Sequence, residues 1–142
     1  MDSFKVYTPI DNSEYLERSY ANAEVIYQTT QRAKVAGKAW RETPLAEREA
    51  LCSKAVDYLM ANQEEIAKEI CWQMGRPVQY AAGELKGLEE RARHMIAIAK
   101  EALSTLQCPP KEGFIRYIQR KPLGTCLVIA PWNYPYLTSV NS

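Results

Sequence analysis

Clustered metal ligands are missing from this sequence: histidine occurs once, at His94, and none of the four cysteines belongs to a Cys-Xaa-Xaa-Cys pair. No metal site is therefore expected, and Cys52, Cys71, Cys108 and Cys126 read as reduced thiols, which makes a cytoplasmic location the default. An excess of charge is lacking too, since 18 Lys and Arg stand against 17 Asp and Glu. Such balance provides no broad field for a polyanion, so neither nucleic acid nor an anionic membrane surface is an expected partner. Met1 to Ile10 lacks the basic and then apolar pattern of a secretory signal. Charge is absent altogether from Leu123 to Ser142, but Gly124, Pro131, Asn133, Pro135 and Asn141 interrupt that stretch and exclude a membrane-spanning helix there. What remains is the composition of a globular protein, with 46% hydrophobic and 25% charged residues in a chain of 142. That length suits one domain, able to bury roughly two thirds of its unfolded surface.

The first hundred or so residues carry helical periodicity. Ile26, Thr29, Ala33, Ala36 and Trp40 recur at intervals of three and four, which places them on one face of an amphipathic helix. That helix is expected to end near Thr43-Pro44, with Thr43 capping a second helix whose first residue is Pro44. Cys52, Ala55 or Val56, and Leu59 form the second apolar stripe. Asn62 and Glu65 have the spacing of a capping box, in which each side chain satisfies an orphan backbone N–H at the start of a third helix. Gly75 followed by Pro77 is the stop, because glycine accepts the left-handed conformation and proline cannot continue the ladder. A long helix is then predicted from Val78 to Leu103, with Leu85, Leu88, Ala92, Met95, Ala99 and Leu103 inward and with close packing to compensate Gly83 and Gly87. Trp40 and Trp72 are assigned to the core, and Glu84 and Glu89 to solvated or structural charge.

Cys108-Pro109-Pro110 ends the helical regime, and Gly113 to Lys121 reads as an extended segment with neither face purely apolar. Such a strand suits an edge or a subunit contact. Thr125 to Ala130 is an uninterrupted apolar run, the pattern of a strand buried on both faces of a parallel sheet. Parallel neighbours need crossovers of a dozen or more residues, more than follow Ala130 outside the Pro131–Pro135 loop. The expectation is thus the N-terminal part of a larger α/β protein.

Pro131-Trp132-Asn133-Tyr134-Pro135 lies just beyond the carboxyl end of that run, where α/β sheets bind ligands. Spacing leaves two readings of Asn133: a residue that caps a helix or closes a turn, which is the commoner case, or a neutral amide donor for a developing oxyanion. Trp132 lines a tunnel or fills a core. Leu123 to Pro135 resembles the strand and loop of the NAD(P)-dependent aldehyde dehydrogenase superfamily, which end in Pro-Trp-Asn-(Phe/Tyr)-Pro. Ala39-Trp40 with Pro44-Leu45 and Arg48, the turn Gln73-Met74-Gly75-Arg76-Pro77, and Glu84 extend the resemblance in order over nearly the whole chain.

The resemblance implies an α/β class: N-terminal helices plus the first strands of an aldehyde-dehydrogenase-like, Rossmann-type fold, truncated. Residues 1–112 would be the helical part of the coenzyme-binding region, 113–121 an oligomerisation strand, and 122–142 the start of the coenzyme sheet. In that family a cysteine thiolate attacks an aldehyde, hydride passes to NAD or NADP, and a glutamate activates water to release the carboxylate. Asn133 matches the oxyanion-binding asparagine; Ile129, Ala130, Pro131 and Trp132 match positions lining the nicotinamide-ribose site; Tyr134 matches a substrate-tunnel aromatic. The implied partners are a small-molecule aldehyde and further copies of the full-length subunit. The family's nucleophile and general base lie downstream of the Pro-Trp-Asn motif and match nothing here, and Cys126, with no basic neighbour, is a poor nucleophile. The chain is therefore expected to be inactive alone, the alternative being a non-catalytic interaction module that associates with full-length subunits.

Overall fold

A computed structural model describes residues 2–142. The chain opens not with a helix but with an antiparallel hairpin, β1 (Ser3–Tyr7) and β2 (Glu14–Ser19), registered from Ser3 opposite Ser19 to Tyr7 opposite Glu14. Helical periodicity gave no warning of it. The alternation in both strands is weak, and the turn depends on Asn12 at φ 60° and on the buried Thr8, whose carbonyl accepts the Asn12 N–H. Four helices follow: α1 (Ala23–Glu42), α2 (Leu45–Ala61), α3 (Gln63–Met74) and α4 (Val78–Ala102).

Caps set these boundaries. The Asn22 side chain accepts the Val25 N–H at 2.9 Å and starts α1. Thr43 closes α1 rather than opening α2, because its hydroxyl turns back to the Ala39 carbonyl, and Pro44 takes the cap position of α2. The expected capping box at α3 does not form. Asn62 donates its amide to the Tyr58 carbonyl at 2.7 Å, and Glu65 pairs with Lys68 instead. Gly75 ends α3 as expected, at φ 76°, with its N–H on the Cys71 carbonyl.

The core is narrow and centred on α4, which packs against α2 and α3. Ala81, Leu85, Leu88 and Ala92 repeat at four, three and four residues, so they form one buried face; Ala81 clusters with Ala67 and Ile70 of α3, and Val56 is the buried residue of α2. Each fully buried leucine contributes about 1.5–3 kcal/mol. Beyond Ala92 the stripe runs out of partners, and Met95 and Leu103 are exposed. Nor does α1 bury the face expected of it, since it has no buried residue. Trp40 and Trp72 are likewise outside the core. The hairpin seats on α3, where Tyr15 stacks on Trp72 and donates its hydroxyl to Glu69.

After α4, β3 (Leu106–Gln107) and β4 (Tyr117–Ile118) make a two-residue ladder, shorter than the strand expected over 113–121. Residues 125–130 form no strand. Among the described residues no strand lies beside them, so their apolar pattern has no ladder to join, and Leu127 and Ile129 are exposed. One anchor holds the segment to α1: the Thr125 hydroxyl donates to the Ala33 carbonyl at 3.2 Å, at Gly37, where a Cβ would come within 2.9 Å of the Thr125 oxygen. A last helix, α5 (Pro135–Asn141), returns to pack on α4, with Leu137 against Gly87. Gly83, in contrast, faces open space, so close packing does not account for it.

Candidate active site

The turn from Gly75 to Pro77 delivers Arg76 between two helices, and the length of α4 delivers Glu84 opposite it. Glu84 is buried, and its Oε2 accepts from Arg76 Nη1 at 3.1 Å while its Oε1 accepts the Tyr136 N–H at 2.8 Å. That second bond has a specific cause. Pro135 occupies the first position of α5 and carries no N–H, the cap residue Tyr134 offers no side-chain bond, and Tyr136 is the first donor in need of a partner. A carboxylate there also complements the positive end of the helix. The other arm of the guanidinium reaches the Asn133 carbonyl at 3.3 Å, and its carbon lies 4.1 Å from the centre of the Tyr134 ring.

These groups line an open cleft of about 750 Å³, bounded by Arg76, Tyr80, Glu84, Trp132, Asn133 and Tyr134 among others. A second cleft of about 390 Å³ is lined by Ala130, Pro131, Trp132 and Tyr136 together with Val6 of the hairpin. The residues expected at the site are thus divided. Asn133 and Tyr134 share the first cleft, Ala130 and Pro131 the second, Trp132 borders both, and Ile129 lies in neither. Burial pushes the Tyr136 phenol up from its ordinary value, with the nearby Glu84 and Glu69 adding to the effect. No cysteine lines either cleft. Cys52 and Cys126 are exposed free thiols, Cys71 and Cys108 half-buried ones.

The sequence offers Arg76 only as part of a turn motif, and Glu84 as solvated or structural charge. A solvated Glu84 is ruled out by its burial; the structural role is the correct one. One signal could have found it: Glu84 interrupts the apolar series Ala81, Leu85, Leu88 on its inward side, and a charge there needs a partner. Among the described residues, no three His, Cys, Asp or Glu side chains are grouped to hold a metal, and no helix is long and apolar enough to cross a membrane.

Residues 1–142 match the family model described as aldehyde dehydrogenase family. The chain belongs to that family. It is 28% identical over 134 residues to fluoroacetaldehyde dehydrogenase of Streptantibioticus cattleyicolor, covering 94% of this chain and 26% of the relative. PnpE in complex with nicotinamide adenine dinucleotide superposes with a TM-score of 0.89 at 28% identity, over 98% of this chain and 28% of that one. NADP-dependent glyceraldehyde-3-phosphate dehydrogenase from Bacillus halodurans C-125, complexed with NADP, gives 0.85 at 26% identity, over 98% and 30%. The fold therefore matches a part of the α/β fold of aldehyde dehydrogenases, and the coenzymes carried by these solved relatives are NAD and NADP. This aldehyde dehydrogenase chain spans between a quarter and a third of the length of those relatives.

Proposed function

We propose that this chain forms the N-terminal part of an enzyme that oxidises an aldehyde to a carboxylate with NAD or NADP. The observation that carries the reading is Asn133, placed in an open cleft at the start of a helix and embedded in the Pro-Trp-Asn-Tyr-Pro sequence. Its neutral amide would donate to the oxygen of the reacting carbonyl, where negative charge develops, both during attack on the aldehyde and during hydrolysis. Tyr134 would border the aldehyde's approach. Ile129, Ala130, Pro131 and Trp132 would hold the nicotinamide end of the coenzyme. They fit that group: Ile129 is 84% and Trp132 76% exposed, and the backbone of this stretch joins no described ladder, so apolar side chains and free peptide groups are both on offer. The coenzyme, when bound, supplies the hydride acceptor.

Within this reading residues 1–112 are the helical part of the coenzyme-binding region, 113–121 contribute to assembly of subunits, and 122–142 begin the coenzyme sheet. The thiol nucleophile and the base would come from sequence outside this chain. Incubating the 142-residue chain with NAD or NADP and a panel of aldehydes is expected to give no reduced coenzyme. Sustained turnover, lost in Asn133→Ala, would show that the chemistry is complete within these residues. When the chain is joined to a family segment bearing the nucleophile, aldehyde oxidation is expected, and Asn133→Ala should lower kcat by about 10²–10³-fold.

A second reading is a non-catalytic module that associates with full-length subunits, and the exposure of Phe114, Ile115 and Ile118 around β4 favours it. Size-exclusion chromatography with and without a full-length family subunit separates the two. A chain that elutes as a lone monomer in both runs speaks against association.

A further inference from the structure

Asn133 sits in a turn that no strand ladder supports, yet an oxyanion donor must be held in a fixed direction before the charge forms. Three contacts reach this turn from one place. Arg76 donates to the Asn133 carbonyl at 3.3 Å, stacks 4.1 Å from the centre of the Tyr134 ring, and is itself held by Glu84, which also accepts the Tyr136 N–H at 2.8 Å. Both partners are rigidly mounted. Glu84 lies on the buried face of α4, and Arg76 lies between Gly75, whose left-handed conformation ends α3, and Pro77 at the cap of α4.

We propose that Arg76 and Glu84 are positioning residues for Asn133, setting the direction of its amide through the loop backbone; the role rests on the reading of Asn133 as oxyanion donor. The fork of the guanidinium matters more than its charge. One arm satisfies Glu84 and the other the Asn133 carbonyl, so a single group ties the α3–α4 junction to the loop. A lysine retains the charge for Glu84 but has one compact ammonium and no planar fork, and it is expected to release the carbonyl. A glutamine at position 84 retains an acceptor for the Tyr136 N–H but no longer holds the cation. The two substitutions therefore loosen Asn133 by different routes while leaving the start of α5 anchored.

The test is backbone order measured by nitrogen-15 relaxation on the 142-residue chain, a readout that uses neither aldehyde nor coenzyme. Asn133, Tyr134 and Tyr136 are expected to match Leu85 and Leu88 of α4, with order parameters of about 0.85. In Arg76→Lys, Asn133 and Tyr134 should fall below about 0.6 while Tyr136, Leu85 and Leu88 keep their values. Glu84→Gln should give the same pattern. Unchanged order at Asn133 in Arg76→Lys, or a mobile Asn133 in the unsubstituted chain, overturns the proposal. Should Arg76→Lys loosen Leu85 and Leu88 as well, Glu84→Gln decides by the same criterion, and loss throughout α4 in both variants reduces the pair to a support of the fold. Failure here removes the positioning role alone, because the Asn133→Ala assay tests the donor role separately.

Discussion

Glu84 and Glu89 stand five residues apart on one helix, yet their side chains are 0% and 33% exposed. Glu84 holds a guanidinium that is itself 14% exposed, so removing the carboxylate strands a nearly buried cation and an unpaired Tyr136 N–H. Glu84→Ala is expected to lower the unfolding free energy by about 3–5 kcal/mol in urea denaturation. Glu89 pairs with Arg93 one turn away in partly exposed surroundings, and Glu89→Ala should cost no more than about 0.5 kcal/mol. Equal losses in the two variants would contradict the assignment of burial. The spacing of α4 sets Glu84 on the inward side, but its partner was not legible there, because Arg76 reaches Glu84 across the Gly75–Pro77 turn. Asn133 was legible by its motif, but the Arg76 bond to its carbonyl joins residues 57 apart in the chain.

Helix ends and interiors respond to substitution in opposite senses. Gly75 sits at φ 76° with Pro9 of the hairpin turn 3.0 Å from where a Cβ would stand, so Gly75→Ala should destabilise by at least about 1–2 kcal/mol. Gly83 is inside α4 with no atom within 4 Å of the same point, and Gly83→Ala should stabilise by about 0.5–1 kcal/mol. Thermal unfolding of the two variants checks the pair, and the same sign in both would refute it. The hairpin carries its own pH signature. Its Tyr15 phenol donates to Glu69, which with burial pushes the phenol from its ordinary 10 up to about 12. Folding therefore favours the protonated form: the contribution is complete below pH 10 and is lost as the pH rises from 10 to about 12. Tyr15→Phe should remove that part of the alkaline loss of stability, as followed by melting temperature against pH. Glycine at the end of α3 was readable in the sequence because the left-handed cap and the following proline are local. The capping box was readable too, and wrong, because Asn62 finds a competing acceptor in the Tyr58 carbonyl one turn back.

The whole chain exposes 11215 Å², against about 7,500 Å² for a compact monomer of 16.2 kDa. Much of the excess is apolar: Ile115, Leu123, Leu127 and Ile129 are each more than four-fifths exposed. Surface of that kind associates, so the isolated chain is expected to sediment with a concentration-dependent mass, and Leu127→Asp with Ile129→Asp should weaken that dependence. A mass independent of concentration in the unsubstituted chain would count against it. The long helices, their approximate limits, the glycine stop at Gly75 and the family motif at Asn133 follow from sequence by itself, because periodicity, caps and short motifs act over a few residues. The tertiary structure alone decided which stripes are buried, since α4 packs on α2 and α3 and buries Leu85 whereas the equally periodic face of α1 has no buried residue. It also decided that the apolar run before Pro131 forms no strand, because a ladder needs a partner strand, and that one buried carboxylate ties the loop of Asn133 to α4, because that contact exists only once distant residues have been brought together.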